Sequence, residues 1–195
     1  MSQTTLDIKE PGLNLLPPGV ERHVVNAGGL TGLQVFPDDE IEIINDEGNQ
    51  ICEIICFDKD GKSELGILSQ KESSKKSFIK EILNRKDESS LITNLQLKKR
   101  NLDINRSKSS ILFDEKTPSG EKIKIKSKDK CYVIFSAPQN DMLVSEQNPS
   151  SDLTIFIKRA KIVNDKELSI IPDPVYDPNY EKNIDRETAI SFQVK

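Results

Sequence analysis

Residues 39–58 read D-E-I-E-I-I-N-D-E-G-N-Q-I-C-E-I-I-C-F-D, two apolar strand patterns joined by an acidic turn with one glycine. The alternation Glu40, Ile41, Glu42, Ile43 puts the isoleucines on one face and the glutamates on the other, as in a half-buried strand. From Gln50 to Phe57 the chain is apolar on nearly both faces, the pattern of a central strand covered on each side, and Glu53 is its lone charge. Asp46, Glu47 and Gly48, flanked by Asn45 and Asn49, read as a hairpin turn in which glycine takes the positive φ.

Working outward, Lys59 to Lys62 reads as a second hairpin turn and Ser63 to Leu68 as a further short strand, giving an antiparallel meander. Upstream, Glu21 to Asn26 is a strand pattern, and Ala27-Gly28-Gly29-Leu30-Thr31-Gly32 reads as a loop. That loop lacks the lysine and following helix of a phosphate-binding loop. Downstream, Ser69 with Glu72 forms a capping-box pattern. Phe78, Ile79, Ile82 and Leu83 fall on one stripe of an amphipathic helix that ends near Arg85. Residues 87–108 are charged and weakly patterned and read mostly as loop. Strand patterns return at Ser110 to Phe113, Glu121 to Lys126, Cys131 to Ala137, Leu153 to Lys161 and Leu168 to Ile171, with a turn at Thr117 to Gly120. The fold class expected is mainly β: an antiparallel barrel-like or sandwich-like sheet with one amphipathic helix. Residues 1–19 form an N-terminal arm, 20–171 the β domain, and 172–195, with Pro172, Pro174 and Pro178, an extended connection and the start of a further strand.

The chain has 195 residues, enough for one domain with a genuine core, and its net charge of −4 argues against a nucleic-acid binder. No apolar run reaches the length of a membrane span and the N-terminus lacks a signal-peptide pattern, so the expected location is cytoplasmic. Cys52, Cys56 and Cys131 all lie in apolar segments, which suits reduced core thiols.

The chemistry-bearing residues are few. Cys52 and Cys56 sit four apart on a strand, about 13 Å along it, too far to share one metal ion. His23 is the single histidine, which rules out a triad or a multi-histidine metal site. Asp58, Asp60 and Glu64 lack the spacing of a calcium loop. The lysines at 122, 124, 126, 128 and 130 have no interleaved aromatic and read as a solvated strand face or protected sheet edge. Glu53, isolated in an apolar strand, is the functional candidate, although a salt bridge to a lysine would account for it structurally.

The order of segments resembles the urea carboxylase-associated family. The residues that carry the resemblance are Val20-Glu21-Arg22 to Ala27-Gly28, Asp46-Glu47-Gly48-Asn49-Gln50 with Glu53 three places on, Ser136 to Asp141, and Asn148 to Leu153. Family members usually carry a His-Asp pair and cysteines in the middle and closing motifs, suited to holding a metal. Here no histidine follows His23 and Pro138 comes directly after Ala137, so the resemblance implies a degenerate copy without that site. Residues 188–195, T-A-I-S-F-Q-V-K, resemble the strand that opens another copy, or else complete this domain's own sheet. Because similar modules precede folate-dependent aminomethyltransferase domains, the chain is expected to be the N-terminal portion of a longer polypeptide.

Two functions follow. One is a non-catalytic structural or substrate-delivery module of a C1 or nitrogen-metabolism enzyme, with no cofactor of its own, tetrahydrofolate entering only if an aminomethyltransferase domain follows. Its partner would be a neighbouring domain of the same chain or a second copy, with no nucleic acid and no membrane. The other is a free-standing small enzyme or ligand-binding protein with a pocket of Gln50, Glu53, Asp141 and His23. No catalytic or metal residue is assigned in either.

Overall fold

A computed structural model describes residues 16–73, 77–85, 87–139 and 149–160. Among the described residues eight strands form two four-stranded antiparallel sheets: β1 (Val20–Val25), β2 (Leu30–Val35), β3 (Glu40–Asn45), β4 (Cys52–Asp58), β5 (Ser109–Phe113), β6 (Glu121–Lys126), β7 (Cys131–Ser136) and β8 (Leu153–Lys158). One sheet runs β1-β8-β3-β6 and the other β2-β7-β4-β5. A mainly β, sandwich-like fold is therefore what the chain adopts.

The alternating strand patterns explain the layers. Ile41 and Ile43 of β3 pair with Ile157 and Ile155 of β8 and with Ile125 and Ile123 of β6, so one face of the first sheet is apolar. It packs on Cys52, Ile54 and Cys56 of β4 and Val133 and Phe135 of β7 from the second sheet, and this is the main core. The other face of the second sheet carries Ile55, Phe57, Tyr132 and Ile134, which pack with Ile79, Ile82 and Leu83 of α1 (Phe78–Leu83) and Leu97 of α2 (Glu88–Lys99). The doubly apolar β4 is thus covered by sheet on one side and helices on the other.

Four sequence expectations are corrected. First, β3 and β4 are not a hairpin: β3 lies between β8 and β6, β4 between β7 and β5, and residues 46–51 arch from one sheet to the other. Their burial patterns explain why, since a strand polar on one face belongs in a sheet open to water and a doubly apolar strand in a covered one. With that, the meander gives way to strands that cross between the sheets at every step except β4 to β5. Second, β2 runs through the segment read as loop, where Gly32 masks the strand pattern. A Cβ on Gly32 would run into the Tyr132 hydroxyl, so glycine there makes room for a ring lying across the strand.

Third, after the turn at 58–62, whose amides at Asp60 and Lys62 donate to Asp58 Oδ1, the only pairing is a single bridge, Phe57 to Ser63. Leu65–Leu68 is a 3₁₀ turn, and Ser69, at φ 57°, closes it instead of opening a helix. Fourth, residues 87–108 contain a second helix. Asp87 caps α2, its Oδ1 accepting from Ser90 N at 2.8 Å. The buried side of α2 is Ser90, Thr93 and Leu97 while Leu91 and Leu95 point outward, so hydrophobic periodicity could not reveal it. The lysine-rich β6 is, as its pattern suggested, an edge strand, with Lys124 on Glu42 at 3.3 Å and Lys126 on Asp38 at 2.9 Å. The strand patterns at 168–171 and 189–194 lie outside the described residues.

Candidate functional site

The segments singled out by motif in the sequence meet at one end of the sandwich. Gln50, fully buried, is the tie: its Nε2 donates to Ile51 O at 3.0 Å and Pro138 O at 2.9 Å, and its Oε1 accepts from Ser151 N at 2.8 Å. Its own carbonyl accepts from Asn45 Nδ2 at 2.8 Å, closing the arch. Gly28 N donates to Ala137 O at 2.6 Å, and Ala27 N donates to Asp152 Oδ1 at 2.8 Å. The turn at 114–120 joins them through Asn49 N to Thr117 O and Gly120 N to Asn45 O, both 2.7 Å. Positive φ at Gly48 (82°) permits this approach, because a Cβ there would stand 2.6 Å from Ser119 N. Asn45 Oδ1 and Ser151 Oγ are buried here without a hydrogen-bond partner among the described residues.

Glu53, also fully buried, points to the helix side of β4, where its Oε2 accepts from Ile79 N at 2.7 Å in the first turn of α1. The lysine salt bridge expected for it is corrected: its partner is the helix backbone. Burial raises its carboxyl above the usual range, while the Ser109 hydroxyl, the Ile79 amide, the Ser77 hydroxyl and the Phe78 amide act the other way. Ser77 Oγ and Glu53 Oε1 nonetheless make no bond of good geometry. Between α1, β5 and the 114–116 turn lies a cleft of about 230 Å³ lined by Ile51, Phe78, Ile111, Asp114, Glu115 and Lys116. Ile51 follows Gln50 in sequence, and Ile111 of β5 is in register with Glu53 of β4, while Gln50 and Glu53 themselves do not line the cleft.

His23 belongs elsewhere. It lies on β1 with its Nε2 at 3.1 Å from Glu21 Oε2, in a network centred on Arg159 just beyond β8. Arg159 Nε and Nη2 donate to the two Glu21 carboxylate oxygens at 2.7 and 2.8 Å, and Nη1 donates to Asp39 Oδ2 at 2.7 Å and Gln34 O at 3.0 Å. The fourth pocket residue proposed from sequence, Asp141, lies outside the described residues. Gln50 and Glu53 thus neighbour lining residues of the cleft without lining it, and His23 is tied into a separate network. Sequence reading missed Asn45 and Arg159; neither had a local signal, because each acts through partners distant in the chain.

Cys52 and Cys56 face the core; burial pushes the Cys52 thiol up, and contact with Cys131 together with burial does the same for Cys56. Both are held as neutral thiols. Among the described residues no group of three or more His, Cys, Asp or Glu stands together as a metal site, and no helix is long and apolar enough to cross a membrane.

No protein-family model matches the chain. It is similar to the trimethylamine-oxide aldolase of Ruegeria pomeroyi, 31% identical over 188 residues that make up 96% of this chain and 24% of that protein. The chain therefore spans about a quarter of the length of the curated relative it matches.

Proposed function

We propose that the chain is a non-catalytic β-module, structural or substrate-delivering, of a longer polypeptide that acts in C1 or nitrogen metabolism. The observation that carries this reading is the extent of the match: nearly all of this chain aligns with only 24% of a relative whose name is that of an aldolase for trimethylamine oxide. In that relative the matched stretch is one part among others. The site geometry supports the same division of labour, because Gln50 is saturated by three loops and Glu53 is committed to α1.

The finer reading is that the module is of the urea carboxylase-associated type and precedes a folate-dependent aminomethyltransferase domain, which would supply the tetrahydrofolate site. On this reading trimethylamine oxide, or a closely related methylated amine, is the substrate handled by the whole polypeptide. Sequencing the gene past codon 195 is the first test: an open frame continuing into a second domain is expected, and a stop codon there overturns the reading. Elemental analysis of the purified chain is the second, and one tightly bound zinc or iron per chain would overturn the non-catalytic assignment.

A further inference from the structure

Glu115 and Lys116 stand side by side on the rim of the cleft next to α1, and among the described residues neither side chain is held by an ion pair or a hydrogen bond. Asp114, by contrast, is engaged in its own turn, its Oδ1 accepting from Lys116 N at 2.9 Å and from the Thr117 hydroxyl at 3.3 Å. The walls beneath are apolar, Ile51 and Ile111 with the ring of Phe78. The volume of about 230 Å³ falls below the roughly 300–1,000 Å³ of sites for drug-sized ligands, so the occupant has few heavy atoms.

Opposite charges on adjacent rim residues select against simple ions, since a bare cation meets Lys116 and a bare anion meets Glu115. A molecule carrying both signs satisfies both. An aromatic ring with aliphatic neighbours suits methyl groups bearing diffuse positive charge, held by the ring face and by contact area. Behind the wall, the Glu53 carboxyl accepts from the Ile79 amide next to Phe78 and helps fix the first turn of α1, which carries that ring. We propose that this cleft binds a small dipolar methylated amine, an amine N-oxide being the simplest, with its methyl groups against Phe78, Ile51 and Ile111 and its oxygen accepting from Lys116 Nζ. This rests on the substrate-delivering form of the module reading.

The test is a titration of the isotope-labelled 195-residue chain with trimethylamine oxide, followed by amide NMR shifts. Saturable shifts are expected at Ile51, Phe78, Ile111, Glu115 and Lys116. Tetramethylammonium, which has the methyl groups without the oxygen, should bind about tenfold more weakly. Lys116→Ala, an alteration at the exposed rim, should erase that preference, and Phe78→Leu should weaken both ligands by about tenfold. Shifts that rise linearly across the whole chain, as for a co-solvent, overturn the proposal; so does saturation at another surface, or binding indifferent to Lys116→Ala. If the longer polypeptide consumes trimethylamine oxide while this titration stays linear, the cleft assignment fails and the module reading stands. If the frame stops after codon 195 while the cleft binds, the reverse holds.

Discussion

At the scale of single residues, Gly32 and Glu53 show how a position's chemistry is set by what crosses it. Tyr132 reaches over Gly32 to donate to Gln96 Oε1, with the Arg100 guanidinium 4.4 Å from its ring centroid, so one tyrosine fastens α2 to the second sheet. Gly32→Ala must displace that ring and is expected to cost about 1–3 kcal/mol in chemical denaturation, as overpacking does. The cost should shrink in a Tyr132→Phe background, where the hydroxyl is gone. Glu53 carries a carboxyl raised by burial, so the folded state favours its protonated form. A raised acid contributes stability below its ordinary titration range that is lost as pH rises through the folded value. Glu53→Gln keeps an acceptor for Ile79 N without a buried charge. Relative to the wild type it should therefore gain melting temperature as pH rises from 4 to 8; a gap that does not vary with pH would show that folding leaves the carboxyl's proton affinity unchanged.

At the scale of elements, caps and end-ties matter more than apolar stripes. Helix α2 buries mainly hydroxyl side chains, so its definition depends on its start: Asp87→Ala should cost about 1 kcal/mol and raise amide exchange in the first turn of α2 above the rest. The end of β8 is held differently. Glu21 is lowered to about 2 by the His23 hydrogen bond, with burial opposing and Arg159 assisting. A lowered acid contributes stability above its ordinary pKa of about 4.5, and that stability is lost as pH falls toward 2. Glu21→Gln should therefore flatten the melting curve's dependence on pH between about 5 and 2 relative to the wild type, while leaving its neutral-to-alkaline arm unchanged.

At the scale of the whole molecule, the two sheets are unequally covered, and amide exchange should report it: β4 and β7, central and roofed by helices, are expected to be the slowest, and the edge strands β1 and β6 faster. A uniform pattern would contradict the layered core. Strand patterns at Glu40–Asn45, Cys52–Asp58, Glu121–Lys126 and Cys131–Ser136 were legible because alternation, or its absence, reports which faces are buried. Partner choice was not legible, since an arch and a hairpin use the same turn residues and only packing across the sandwich decides between them. Gln50 and Glu53 stood out as polar groups beside an apolar run, but their partners, Ser151, Pro138 and Ile79, come from far along the chain. The strand order carries a consequence for synthesis. Among the described residues strand β1 pairs with β8 alone, and β2 with β7 alone. At about 5–20 residues per second, a ribosome needs roughly ten seconds to deliver β8 after β1 has emerged. Through that interval β1 and β2 wait without these ladder partners, so the nascent chain depends on its polar outer faces, or on a chaperone, to stay unassociated until β7 and β8 arrive.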